Sequence, residues 1–376
     1  MVKIINVVGA RPQFIKYFPI SRAIQTFNDQ SGSPIKDILV HTGQHYDYEM
    51  SKIFFDEFGI KEPEYHLEVG SGPHGQQTAL VLQRIEDVIN KEHPDAVVIY
   101  GDTNSTLGAA VAASKVHVPV IHVEAGLRSF NKYMPEEINR ILADHVSALL
   151  LCPSRTAVNN LITEGFKNII NKGSLIAEDY SGLEADINNP SVINVGDVMF
   201  DSVLHAVEIA KKRSNILDKL DLAKEDYCLL TIHRAENTDR KDAFENVVQF
   251  VNNTANGRKV IFPMHPRTKK VYEGAEKKFA DNIKIIEPAG YFDILMLLKN
   301  SSLVMTDSGG MQKEAYWLNV PCITLRDETE WVETVESGWN VLYREYTGSH
   351  RMSNTDAHYG DGQTAERVAA LLKSIQ

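Results

Sequence analysis

Residues 96–129, AVVIYGDTNSTLGAAVAASKVHVPVIHVEAGLRS, carry the pattern that decides the fold. Ala96–Tyr100 is a short, unbroken apolar run, which Gly101-Asp102-Thr103-Asn104-Ser105-Thr106 ends with turn and capping residues. A longer stretch intervenes before a second apolar run, Val118–Val123, that ends in Glu124-Ala125-Gly126. Continuous apolar runs alternating with longer helical stretches describe parallel strands covered by helices on both faces. Ligands of such sheets bind beyond the carboxyl ends of the strands, so the residues after each strand are the candidates for chemistry.

The alternation extends through nearly the whole chain. Strands are expected at Ile4–Val8, Ile38–His41, Ala96–Tyr100, Val118–Val123, Leu149–Cys152 and Val192–Val195. After Gly196 the pattern restarts with Cys228–Ile232, Val260–Pro263, Ile283–Ile286, Leu303–Met305, Pro321–Leu325 and Val341–Tyr343. Two such sets in series give an α/β chain of two Rossmann-like doubly wound domains with an interdomain cleft. The expected boundary makes residues 1–195 the first domain and 196–362 the second, with a helix in 363–376 returning to the first. The polar stretch Asn168–Pro190 reads as an excursion before the first domain's last strand. The 376 residues suit two domains of roughly 150 residues or more.

A net charge of −11 disfavours a nucleic-acid partner and obliges an anionic ligand to find its cations locally. The three cysteines, Cys152, Cys228 and Cys322, are far apart, as buried reduced thiols would be. The start, MVKIINVV, reads as a strand rather than a secretory signal, and no apolar run approaches the ~20 residues that span a bilayer. A cytoplasmic enzyme without a membrane partner is expected.

At the first strand's end stands Gly9-Ala10-Arg11-Pro12-Gln13-Phe14-Ile15-Lys16. The glycine permits a tight turn, Pro12 suits a first helical turn, and Arg11 and Lys16 bring charge toward the cleft. Neither GxGxxG nor GxxxxGK[ST] occurs, so no dinucleotide cofactor is implied. The second strand ends in His41-Thr42-Gly43-Gln44-His45-Tyr46, dense in hydrogen-bonding groups. Asp102 alone would read as a helix cap. Glu124 at the equivalent end of the next strand, and Glu136 in Pro135-Glu136-Glu137-Ile138-Asn139-Arg140, change that reading. In the latter helix Ile138, Ile141, Leu142 and Val146 form the apolar stripe, and Glu136 and Arg140 share another face. Three acids converging on one cleft repel one another, so at least one is expected to hold a proton near neutral pH, and such a set serves proton removal and delivery. A Mg²⁺ site is the competing explanation. It ranks lower, because Arg and His motifs crowd the same strand ends, and no metal is expected.

The second half repeats the arrangement with His233-Arg234-Ala235-Glu236-Asn237, Met264-His265-Pro266-Arg267-Thr268 and Thr306-Asp307-Ser308-Gly309-Gly310-Met311-Gln312-Lys313-Glu314. Ser-Gly-Gly opening a helix lets backbone N–H groups approach a pyrophosphate. Glu314, a turn further on, suits ribose hydroxyls. Leu325-Arg326-Asp327-Glu328-Thr329-Glu330-Trp331 adds an arginine.

Taken in order, GARPQFIK, HTGQHYD, YGDTNST, HVEAGLRS, PEEINR, HRAEN, HPRT, TDSGGMQKEA and RDETEW resemble the UDP-N-acetylglucosamine 2-epimerase family, of the two-domain glycosyltransferase-B fold. The resemblance runs nearly end to end. It implies that Asp102, Glu124 and Glu136 are catalytic carboxylates and that His233 is the family's essential histidine. It places Arg11 and Lys16 near the substrate, Ser308, Gly309, Gly310 and Glu314 on UDP and its ribose, and Ile294 at the uracil. Arg140, His265 and Arg326 lie in the same motifs and join the expected substrate-binding set. The implied reaction eliminates UDP to a 2-acetamidoglycal and re-adds it on the other face, with no cofactor, in a homodimer. Hydrolysing members release free sugar instead. A glycosyltransferase of the same fold, or a non-catalytic UDP-sugar sensor, are the remaining alternatives. Three segments depart from the family pattern: GARPQFIK stands for GTRPEAIK, HRAEN for HRREN, and TEWVE for TERPE. In this the chain is similar to epimerases of modified sugars such as UDP-2,3-diacetamido-glucuronic acid, and Gln13 in place of Glu removes a charge that would oppose an acidic sugar.

Overall fold

The computed structural model describes residues 1–30, 34–44, 61–177, 183, 185–329, 331–349 and 358–375. His45, Tyr46 and Glu330 of the motifs above lie outside these residues, as does part of the 168–190 excursion. The chain divides into two compact units, one of residues 1–202 with the segment from 357 onward, the other of residues 203–356.

The first unit is built on eight parallel strands: β1 (Val2–Val8), β2 (Ile35–His41), β3 (Tyr65–His66), β4 (Ala96–Tyr100), β5 (Val120–Val123), β6 (Leu149–Cys152), β7 (Asn168–Ile169) and β8 (Ser191–Asn194). Their order is β3-β2-β1-β4-β5-β6-β8-β7, so the winding reverses between β1 and β4. Val7, Ile38, Val97 and Ile99 pack one sheet face against Val81 and Ile85 of helix His74–Glu92 and the alanines of helix Asn104–Lys115. Those two helices touch closely at Gly108, where a Cβ would lie 2.7 Å from Val81 Cγ1. The C-terminal helix Thr364–Lys373 packs on helix α1, Arg11–Gln30.

The second unit has six parallel strands: β9 (Cys228–Thr231), β10 (Val260–Pro263), β11 (Ile283–Ile286), β12 (Leu303–Thr306), β13 (Cys322–Thr324) and β14 (Asn340–Leu342). Their order is β11-β10-β9-β12-β13-β14, with the reversal between β9 and β12. Cys228, Leu230, Val260, Phe262 and Met305 form one face of its core with Phe244, Val248 and Val251 of helix Lys241–Ala255.

All twelve expected strands are present, four with the expected ends and the rest with ends moved by one to three residues. The fifth starts at Val120 because Pro119 has no N–H for the ladder, though its carbonyl still accepts from Val97 N at 2.9 Å. The two additional strands, β3 and β7, are two residues long, too short for periodicity to register. One expectation fails. Helix Pro135–His145 buries Glu137, Asn139, Ala143 and Asp144, while Ile138 and Leu142 are each 46% exposed. The face toward helix Asn104–Lys115 is claimed by polar side chains with fixed partners, so Ile138 and Leu142 are turned outward while Val146 still packs on the core. Gly9 also serves differently from the expected turn. A Cβ there would lie 2.1 Å from Thr42 Oγ1 and 2.2 Å from Ser105 Oγ, so the residue is glycine because two loops crowd it. The three cysteines are free and buried, and burial pushes their thiols up. Among the described residues no helix is long and apolar enough to cross a membrane.

Candidate active site

In the first unit the chemistry gathers where the winding reverses. Helix α1 follows β1 and carries Lys16 inward on its second turn, 7% exposed, with Nζ 3.0 Å from Glu124 Oε1. Burial works against the ammonium, but Glu124, with Asp102 and Asp197 nearby, more than offsets it and holds the Lys16 pKa above its ordinary value. Glu124 follows β5 with φ of 72°, a left-handed conformation that a non-glycine residue adopts only under constraint. Its Oε1 and Lys16 Nζ lie 3.3 and 3.6 Å from where a Cβ on Gly101 would stand, so both sit against the peptide that precedes Asp102.

Asp102 is not the cap of the helix it precedes. Thr103 caps helix Asn104–Lys115 in a reciprocal box with Thr106, which leaves the Asp102 carboxylate for Arg140, its ion-pair partner. Arg140 also reaches Glu137 Oε2 at 3.3 Å, so its partners are Asp102 and Glu137 rather than the Glu136 four residues before it. Glu137 is buried and accepts from Ser129 N and Phe130 N, both at 2.9 Å, fixing the loop that enters the helix. Asn139 completes the tie by donating to the Asp102 carbonyl at 3.0 Å and to Asn104 Oδ1 at 3.1 Å. Glu136 is exposed in the first turn of that helix. Thus Asp102, Glu124, Lys16 and Arg140 are brought together, and each of the two acids faces a cation instead of standing in unrelieved repulsion.

Gln13 does not serve the acidic-sugar role suggested by its type. It is 1% exposed, accepts from Gly9 N (2.8 Å) and Ala10 N (3.0 Å), and donates to the Tyr100 carbonyl (2.8 Å) and Thr106 Oγ1 (3.0 Å). All its hydrogen-bonding capacity goes into joining the β1 and β4 loops. Gln44 does the same for the second motif, its Oε1 accepting from Ser105 N and Ser105 Oγ. Arg11, at the first position of α1, is exposed.

The second unit repeats the device at its own reversal. Ser308 caps helix Gly309–Trp317, and the preceding Asp307 turns to the β9 loop. Fully buried, Asp307 accepts from His233 N (3.0 Å), Arg234 N (3.0 Å) and Asn237 Nδ2 (3.0 Å), while its Oδ1 is 3.3 Å from His233 Nδ1. The His233 side chain remains 44% exposed beyond this anchor. Gly310 is exposed at the helix start, Glu314 is half-buried and accepts from the Tyr291 hydroxyl at 3.2 Å, and Arg326 Nε lies 3.5 Å from Glu236 Oε2. His265 is exposed and caps helix Pro266–Gly274 by accepting from Arg267 N at 3.2 Å. Ile294 is half-buried in helix Tyr291–Lys299 and packs on the core that contains Leu229 and Leu297.

Two parallel sheets, each with acids and cations at its winding reversal and a glycine-opened helix in the second, match a known architecture. A family model described as UDP-N-acetylglucosamine 2-epimerase matches residues 29–373. The chain belongs to this family. A relative from Methanococcus maripaludis, named a UDP-N-acetylglucosamine 2-epimerase homolog, is 46% identical over the full length of both chains. The UDP-2,3-diacetamido-2,3-dideoxy-D-glucuronate 2-epimerase of Pseudomonas aeruginosa is 44% identical, again over all of both. Among solved structures, the UDP-GlcNAc 2-epimerase of Methanocaldococcus jannaschii superposes with a TM-score of 0.80 at 40% identity, covering 98% of each chain. A structure of that enzyme holds UDP-GlcNAc and UDP. Members of this family named for their activity are isomerases of the glycosyltransferase-B fold.

Sequence reasoning left four residues of the site without a role: His122, Glu137, Asp144 and Asp307. Asp307 had a visible signal, since a serine cap directly after it makes the aspartate redundant as a cap. Glu137 and Asp144 had none, because an acid on a helix reads as solvated.

Proposed function

We propose that this epimerase inverts C2 of a UDP-linked 2-acetamido sugar by eliminating UDP, returning a proton to the opposite face of C2 and adding UDP back to C1, as a step toward cell-surface polysaccharide precursors. The carrying observation is the placement of Asp102 and Glu124 at adjacent strand ends with Lys16 and Arg140 against them. The C2 proton of the intact sugar is not acidic. Cleavage of the C1–O bond creates an oxocarbenium-like centre, from which a carboxylate takes the C2 proton to leave a C1=C2 double bond. Return of a proton to the other face of C2, and of UDP to C1, gives the epimer. Asp102, Glu124 and Glu136 supply the proton-transfer groups, and Arg140 and Lys16 hold the first two in place.

The leaving UDP is assigned to the second unit. His233 and the N–H groups opening helix Gly309–Trp317 offer positive charge to the diphosphate, Glu314 takes ribose hydroxyls, and Ile294 meets the uracil. Arg326 adds a cation in that unit, and Arg11 adds one at the start of helix α1 in the first. Arg140, held by Asp102 and Glu137, orients Asp102, and His265 closes the margin of the site. The sugar is UDP-GlcNAc, its 2-epimer, or a 2,3-diacetamido-uronic derivative, as the names of the two kinds of relative suggest. We assign the domain roles accordingly, with carboxylates in the first domain and UDP in the second. The three buried thiols suit a reducing cytoplasm, and Phe130, Tyr133, Met134, Ile138 and Leu142, all exposed, suit a homodimer face.

The test is proton NMR in D₂O with a panel of UDP-HexNAc and UDP-diacetamido-uronic substrates. Deuterium enters C2 and the 2-epimer accumulates as its UDP conjugate. Free 2-epimeric sugar with stoichiometric UDP would establish hydrolysis instead, and no exchange with any substrate would overturn the reading.

A further inference from the structure

One buried network reaches all three segments that carry the proposed acids. His122 stands in β5, two residues before Glu124, and its side chain is wholly buried. Nε2 lies 2.7 Å from the carbonyl of Gly101, the peptide that leads into Asp102. Nδ1 lies 2.7 Å from Asp144 Oδ1, on the helix that carries Glu136 and Arg140. Asp144 Oδ2 accepts from Gly126 N at 3.1 Å, two residues after Glu124, and from Arg128 Nη1 at 2.7 Å. Arg128 is in turn gripped by both oxygens of Glu164 at 2.6 and 2.7 Å.

Both ring nitrogens of His122 face oxygen atoms, so the ring is held from two sides. Burial pushes the Asp144 carboxyl up, but His122 and Arg128 outweigh it and hold the group below its usual range. The backbone on either side needs such support. Gly101, Glu124 and Gly126 all have positive φ, 59°, 72° and 79°, and for Glu124 this conformation persists only if its surroundings over-determine it. The β5 neighbours Ile121 and Val123 show what this strand uses where packing alone decides.

We infer that His122, clamped by Asp144, is a positioning residue. It fixes the Gly101 and Gly126 peptides so that Asp102 and Glu124 keep the relative placement that couples loss of a proton from C2 to its return. It touches no substrate atom and acts through those two peptides. The inference rests on the epimerase reading above.

The test uses the full-length chain and begins with the unaltered enzyme. C2 deuteration there establishes the reaction, and its absence refutes the epimerase reading rather than the role of His122. In His122→Gln and Asp144→Asn, kcat falls about 30-fold or more while KM and the UDP Kd stay within about threefold, as a displacement of acid–base groups requires. Free 2-acetamidoglycal and UDP also escape in a larger share of turnovers, because elimination outruns re-protonation. A folded variant with unchanged kcat and unchanged glycal release overturns the proposal. So does a loss of kcat that only follows the folded fraction measured by circular dichroism. Should neither variant fold, ¹⁵N-histidine NMR of the unaltered protein decides the point. His122 shows a ring N–H strongly protected from exchange, and a ring whose protons exchange as freely as those of an exposed histidine refutes the inference.

Discussion

Replacing Asp307 by Asn separates the two tasks given to that carboxylate. Three donors, His233 N, Arg234 N and Asn237 Nδ2, converge on Oδ2 at 3.0 Å each, and the His233 ring lies 3.3 Å from Oδ1. An asparagine keeps its carbonyl toward the three donors and turns its amide toward the ring. Each retained bond then changes from charge-assisted to neutral, a loss of roughly 1 kcal/mol, so urea unfolding of the variant shows about 2–3 kcal/mol less stability. The ring loses its anionic neighbour and meets an N–H donor instead, which removes the charge contact at 3.3 Å that holds it. If that contact contributes about 1.4–2.7 kcal/mol to holding the departing diphosphate, UDP affinity drops about 10- to 100-fold and kcat/KM at least as far. Calorimetric titration with UDP and NMR rates of C2 inversion measure both. A variant less stable by the stated amount but with UDP affinity and kcat/KM within twofold of normal would show that Asp307 only staples the β9 loop, and would remove the reason for assigning His233 to the diphosphate.

Three further outcomes follow from the first unit. Asp201 is 2% exposed, and burial, with Glu366 and Asp197 nearby, raises its pKa to about 7 against the hydrogen bond it accepts from Ala365 N. The folded state therefore retains a proton that the unfolded chain releases, and stability falls as pH rises from about 4 to about 7; Asp201→Asn removes a penalty on the order of 4 kcal/mol at pH 8 but little at pH 4, and an equal effect at both would refute this. Gly126→Ala places a Cβ 2.5 Å from the Ala157 carbonyl at φ 79°, so the fold loses on the order of 3 kcal/mol or more in denaturant titration, and a loss below about 1 kcal/mol would contradict the packing. Asp102→Asn, Glu124→Gln and Glu136→Gln each lower turnover by at least about a hundredfold with UDP binding kept, and near-normal rates in all three would refute the carboxylate mechanism.

The strands were legible because each is a continuous apolar run, and a parallel sheet buried on both faces demands that composition. The strand ends were legible for the same reason, as polar residues immediately after an apolar run have few structural excuses. Pairing was not. The sequence presents Glu136 and Arg140 at helical spacing, yet the guanidinium goes to Asp102, 38 residues away in the chain, and to Glu137. Gln13 was similarly opaque: its type suggested substrate charge, while its four bonds reveal a strut between β1 and β4. Both errors arise from long-range partners, which no local pattern encodes. The repeated pair of aspartate and hydroxyl cap, Asp102-Thr103 and Asp307-Ser308, could have been read more fully. In each case the hydroxyl caps the helix and frees the acid, Asp102 for Arg140 of helix Pro135–His145 and Asp307 for the β9 loop.

The inverted helix Pro135–His145 joins the site to the proposed dimer face. Its inward side is committed to Glu137, Asn139 and Asp144, whose partners are the loops of the site. With those positions taken, Ile138 and Leu142 can only face outward, where they accompany Phe130, Tyr133 and Met134. Apolar side chains clustered on a surface cost solubility unless something covers them, and a second copy of the chain is the proposed cover. Leu142→Lys leaves the inward bonds untouched, so the variant keeps its fold and its UDP affinity. On light scattering it runs at half the mass of the unaltered protein, and epimerisation falls as the helix loses its outer support. An unaltered protein that is monomeric at tens of micromolar, or a Leu142→Lys variant with undiminished self-association, would show that the outward stripe is merely what remains once the inward positions have been assigned to the carboxylates.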